Sequence, residues 1–178
     1  MLATLRARRE DDERGFTLIE LMVVELIIAI LIAIAIPTFL GAKQRAQDKA
    51  AQSSLRNALT NAKGIYTDSD SYTGATVAAL TAAEPSLQFK ANGTASTGAK
   101  EVSVLSPTTA WIIMAAKSSS GSCYVVGDAA TGPGTLFGKL DSTATCSADQ
   151  ADTTLGHVLA TAPTPANASV GGGWAQAW

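Results

Sequence analysis

Residues 21–36 read LMVVELIIAILIAIAI, a run in which Glu25 is the single polar residue. No other feature limits the fold so strongly. A stretch this apolar cannot stand in water as a surface helix, so it must lie in lipid or against other protein. Taken as a helix, residues 16–40 extend for about 37 Å at 1.5 Å per residue. That is enough to cross a hydrocarbon core of roughly 30 Å with some tilt. Beyond Leu40 the chain turns polar and rich in small residues. The expectation is a membrane-facing segment followed by a water-soluble head.

The stretch before the run is a different material. Arg6, Arg8, Arg9 and Arg14 flank Glu10, Asp11, Asp12 and Glu13 within residues 1–15, a short charged segment with nothing to bury. In a secretory signal peptide the cleavage site follows the apolar region and has an A-x-A pattern. Here the small residue, Gly15, precedes the run, and no A-x-A site in a polar setting closes it. Cleavage at Gly15 would remove the charged leader and keep the hydrophobic helix.

The segment Arg14-Gly15-Phe16-Thr17-Leu18-Ile19-Glu20-Leu21-Met22-Val23-Val24 resembles the processing motif of type IV prepilins. A basic residue, Gly, Phe, an apolar block and a Glu five residues into the mature chain, counting Phe16 as the first, all match. Pro37 falls where these pilins carry a helix-kinking proline. The resemblance implies cutting between Gly15 and Phe16 by a membrane aspartyl peptidase on the cytoplasmic face, followed by N-methylation of Phe16. The leader arginines suit that orientation, because positive residues stay on the cytoplasmic side. It implies a single-pass precursor in the inner membrane, later polymerised into a surface filament by an assembly platform and its ATPase. It also implies that Glu20 meets the positively charged N-terminal amine of a subunit. Breaking a buried pair of that kind is costly, so it can set register.

Two residues depart from the family pattern. Glu25 lies where pilins are usually apolar, five residues past Glu20 and on a different face of the helix. Three readings stay open for it: a second interhelical pairing site, a protonated carboxyl in the bilayer, or a feature specific to this subunit. Ala29 stands where many pilins have glycine; as the better helix former it should reduce local melting. Pro37 removes a helical hydrogen bond and should kink the helix.

The helix should continue as an amphipathic element from residue 39 to 66. Ala51, Leu55, Leu59, Ala62 and Tyr66 recur at spacings of three or four, with Lys49, Gln52, Arg56 and Lys63 on other faces. Gly64 and the polar run at 67–71 mark its expected end. Residues 72–98 read as a connecting loop with a short helix at 77–83. Strands are expected at 101–105, 110–116 and 123–126, with a fourth at 135–139. Such short spacers favour an antiparallel meander packed on the first helix, an α+β pilin-like roll. The domain reading is a leader at 1–15, a transmembrane and filament-core half-helix at 16–40, and a head at 41–178.

Cys123 and Cys146 are the two cysteines, and His157 is the single histidine. No C-x-x-C pair is present, so no metal site is expected. Outside the cytoplasm an isolated pair reads as one disulfide, the alternative being two separate buried thiols. The tail from Pro163, with Gly171 to Gly173, Trp174 and Trp178, is too rich in Pro, Ala and Gly to assign. Its tryptophans either cover local apolar surface or bind a partner.

Chemistry-bearing motifs are otherwise sparse. Asn92-Gly93-Thr94 and Asn167-Ala168-Ser169 match the glycosylation sequon, which occurs often by chance. Asp68-Ser69-Asp70 lacks the later ligands of an EF-hand, and no G-x-S-x-G is present. Neither an enzyme nor a cofactor is expected, and the formal net charge of -2 gives no general grip on nucleic acid. The function expected is a major pilin building a homo-oligomeric fibre. A minor pilin that binds a surface, a cell or DNA, and a pseudopilin of a secretion system, are the alternatives. The bridged C-terminal region and Glu20 favour a true pilin.

Overall fold

A computed structural model describes residues 15–105, 109–131, 134–140, 145–150, 175, 177 and 178. Helix α1, Leu18–Ser69, is followed by a 3-10 turn at Tyr72–Gly74 and by α2 at Val77–Ala83. Five strands complete the order: β1 Gln88–Lys90, β2 Glu101–Leu105, β3 Trp111–Lys117, β4 Cys123–Ala129 and β5 Gly134–Leu140. The arrangement is α+β, with a long N-terminal helix and a mostly antiparallel sheet. Two compact units share it, Met1–Ala42 and Lys43–Trp178.

In the second unit the sheet order is β1-β2-β3-β4-β5. Strands β2 to β5 form the expected antiparallel meander. Strand β1 is an addition to the sequence reading, which placed 72–98 in a loop carrying only the short helix. It pairs parallel to β2, Phe89 beside Val102. Three residues with one apolar side chain, Phe89, give no periodicity to detect; pairing with β2 makes the strand. Helix α2 occupies the expected residues, capped by the Thr76 hydroxyl, which accepts from the Ala79 N–H at 3.2 Å.

Helix α1 buries Ala51, Leu55, Ala58, Leu59 and Ala62, the face expected from spacing with Ala58 added, while Tyr66 is half-buried. This face packs in one cluster with Val102, Val104, Ile112, Met114, Ala116, Tyr124 and Val126 of the sheet. The opposite sheet face is buried too. Trp111, Ile113, Ala115, Cys123, Val125, Leu136 and Leu140 form a second cluster with Cys146 and Ala148. Strand β3 alternates between the two clusters, which is why its sequence is apolar at every position from Trp111 to Ala116.

The cover of that second face is fastened covalently. Cys123 and Cys146 form a disulfide with Cα atoms 5.5 Å apart. The Ser96 N–H donates to the Cys146 carbonyl at 2.7 Å, and the Ala148 N–H donates to the buried Ser103 hydroxyl at 3.1 Å. Helix α1 stops at Asp70, whose φ of 51° breaks the helical path while its N–H still donates to the Tyr66 carbonyl at 2.7 Å. The β3–β4 turn closes on Gly121, whose φ of 96° few side chains tolerate.

The candidate processing and assembly segment

The first unit carries the residues singled out by the sequence. Gly15 and Phe16 stand just before α1, separated from it by Thr17, and Phe16 is 79% exposed. The helix begins on a reciprocal cap. The Glu20 carboxylate oxygen Oε2 accepts from the Thr17 N–H at 2.8 Å and from the Thr17 hydroxyl at 2.7 Å. In return the Thr17 Oγ1 accepts from the Glu20 N–H at 3.3 Å. This is a capping box, T-x-x-E, and it satisfies N–H groups that the first helical turn leaves orphaned. The sequence reading took Glu20 for assembly and overlooked Thr17; the three-residue spacing was the available signal.

From Leu18 to Leu40 the helix is bare. Every large apolar side chain on it is about half exposed or more, Val23, Ile28 and Ile32 the least at 49%. Burying each would contribute about 1.5–3 kcal/mol, tens of kcal/mol over the segment. The helix is long and apolar enough to cross a membrane. It continues through Pro37, which has no N–H to offer the Ala33 carbonyl. One residue on, the Thr38 hydroxyl bonds back to the Ala35 carbonyl at 2.9 Å and reaches that of Ile34 at 3.2 Å. Such back-bonding suits a helix in lipid, where every polar group needs an internal partner.

Glu25 differs from Glu20. Among the described residues its side chain makes no hydrogen bond or ion pair within the chain. It sits in a shallow recess with Met22, Leu26 and Ala29.

In the second unit one polar cluster joins α1 to β4 and β5, and no motif announced it. Asp128 is 4% exposed. Its carboxylate accepts from the Tyr72 hydroxyl at 2.5 Å, the Thr135 hydroxyl at 2.6 Å and the Lys63 ammonium at 2.8 Å. Burial pushes the Asp128 carboxyl up, but the bonds from Lys63, Thr135 and Tyr72 outweigh it and hold the group below the usual carboxylate range. Burial and the adjacent Asp128 carboxylate raise the Tyr72 phenol well above its ordinary value.

The C-terminal residues also join the head. Ala175 exchanges two backbone hydrogen bonds of 2.7 Å with Phe137 on β5. The Trp178 indole N–H donates to the Gly138 carbonyl at 3.1 Å, and its ring lies 4.5 Å from Phe137 and under Arg56 at 5.2 Å. Trp178 therefore covers local apolar surface. Trp174, His157 and Asn167 lie outside the described residues. Asn92-Gly93-Thr94 forms an exposed turn, with the Thr94 N–H donating to the Ala91 carbonyl at 3.0 Å. Asp68 and Ser69 belong to the end of α1.

No curated protein and no solved structure gives a significant match to the chain. The model of the prokaryotic N-terminal methylation motif matches residues 11–36, which include Gly15, Phe16, Glu20 and Glu25. With that match, this chain carries at its N-terminus the signal of type IV pilin and pseudopilin precursors.

Proposed function

We propose that the chain is the structural subunit of a type IV pilus. It is inserted in the inner membrane, cut after Gly15, N-methylated at Phe16 and polymerised through its N-terminal helix into a surface filament. The observation that carries this reading is the bare apolar helix, capped at Thr17 immediately after the processing site. Lipid covers that surface in the precursor and copies of the same helix cover it in the fibre, so one hydrophobic effect serves both states. The partners are the prepilin peptidase and methyltransferase, the assembly platform with its ATPase, and other copies of the chain. Glu20 meets the positively charged N-terminal amine of a subunit, and Pro37 kinks the core helix. The Cys123–Cys146 bridge favours a pilin over a pseudopilin, since pseudopilins commonly lack one. Catalysis has no part in this role.

Two measurements test it. Mass spectrometry of sheared surface filaments should find a chain beginning at N-methyl Phe16, whereas an intact Met1 would refute the processing step. Glu20→Ala should be processed normally but assemble poorly, and a normal fibre yield would remove Glu20 from assembly. A dominant band in sheared filaments marks a major subunit, and a trace band a minor one.

A further inference from the structure

We propose that Glu25 is the acceptor through which a second copy of this chain docks, receiving the α-ammonium on that copy's Phe16. The inference rests on the reading of a subunit cut after Gly15, and it names the contact that sets helix register. Residues 15–42 contain two carboxylates, Glu20 and Glu25, and no Lys, Arg or His. Cleavage adds one cation to that stretch, the new N-terminus. Once helices replace lipid around each other, an unpaired charge in their midst is strongly penalised.

The two carboxylates are not equally available. Glu20 is folded back onto its own helix start, holding the Thr17 N–H and hydroxyl, one residue from the Phe16 nitrogen. It neutralises its own chain end. Among the described residues the Glu25 side chain has no hydrogen-bond or ion-pair partner, and it stands beside the small side chain of Ala29, which leaves room for another chain to approach. The next cations on the helix, Lys43 and Arg45, lie 18 and 20 residues beyond Glu25 (43 − 25 and 45 − 25), past the end of the apolar stretch. A monomethylated ammonium keeps two N–H donors. One can face Glu20 of its own chain while the other faces Glu25 of a neighbour.

This pairing dictates an offset between parallel helices. Setting position 16 of one copy beside position 25 of another is a shift of nine residues (25 − 16), about 13.5 Å along the axis. Pairing across copies through Glu20 would instead require four (20 − 16), about 6 Å. A residue two turns on shares the face of its starting point. With the helical path continued back from Leu18, Val23 lies on the face of Phe16; Ile32 lies on that of Glu25 and Ile27 on that of Glu20.

The experiment co-expresses full-length copies, each with one cysteine added besides the bridged Cys123 and Cys146, with the processing and assembly machinery, and oxidises sheared fibres. Val23→Cys with Ile32→Cys should give a cross-linked dimer, alone or together with the second pair, Val23→Cys with Ile27→Cys. A dimer from the second pair only, or from neither in intact fibres, overturns the proposal. Separately, Glu25→Gln should lower fibre yield about tenfold or more, as expected when one member of a buried charge pair loses its partner. Its mature N-terminus should still be Phe16, because among the described residues the Glu25 side chain makes no hydrogen bond or ion pair with the Gly15–Phe16 junction. Unchanged yield in Glu25→Gln overturns the proposal, as does an equal loss in Lys43→Gln or Arg45→Gln, which would make a side-chain cation the partner. An unprocessed or fibre-less parent chain would instead defeat the pilin reading itself, an outcome read before any variant is compared.

Discussion

Replacing Asp128 by alanine should destabilise the head by about 2–4 kcal/mol. The magnitude follows from what each partner loses. The Tyr72 hydroxyl belongs to a residue only 1% exposed, and without Asp128 it loses the carboxylate to which it donates at 2.5 Å. Losing a buried hydrogen bond to a charged acceptor costs about 1.5–3 kcal/mol. The Thr135 hydroxyl loses its 2.6 Å bond as well, for roughly 1 kcal/mol. Lys63 adds little, because its side chain is 47% exposed and water can take over from the carboxylate. Asp128→Ala with Tyr72→Phe forms a double-mutant cycle in which the two losses should not add, since both remove the same hydrogen bond. The pH dependence has a definite sign. A carboxyl held below its unfolded value stabilises the fold above that value, and the stabilisation fades as pH falls through the lower folded value. The parent head should therefore lose stability below about pH 4, and Asp128→Asn should lose less over the same interval. Urea unfolding of the full chain in detergent, followed by near-UV circular dichroism at pH 7 and pH 3, measures both effects. A change under about 0.5 kcal/mol in Asp128→Ala, within the range of neutral surface substitutions, would refute the reasoning.

The other predictions concern what closes the head. Cys123→Ser with Cys146→Ser opens a bridge between residues 23 apart in sequence, and unfolding should become easier by about 3 kcal/mol; an unchanged urea midpoint would show that the 145–150 segment is held without it. Trp178→Ala should cost about 1–3 kcal/mol, less than for a fully buried aromatic. It should also expose the Phe137 N–H to hydrogen exchange, and retained protection there would mean that the Ala175 bridge needs no indole to hold it.

Much of the anchor was legible because its determinants are local. An apolar run and a Gly15-Phe16 junction are read from neighbours in sequence, and the T-x-x-E cap was equally visible in the spacing of Thr17 and Glu20. The amphipathic stripe of α1 and the strands β2 to β5 were also recoverable, since burial on one helix face or in a central strand leaves a periodic or continuous apolar trace. Strand β1 left none, because three residues become a strand only when β2 offers its edge.

The chain alone thus determined the bare helix, its charged forerunner and the apolar strands, each set by side chains close together in sequence. Tertiary structure decided the rest. The Asp128 cluster brings Lys63, Tyr72 and Thr135 together from α1, the turn after it and β5. The docking of Ala175 and Trp178 on β5 spans some 40 residues of separation. A buried carboxylate and a paired strand edge are satisfied by groups far along the chain, and nothing near Asp128 or Phe137 in sequence identifies those partners.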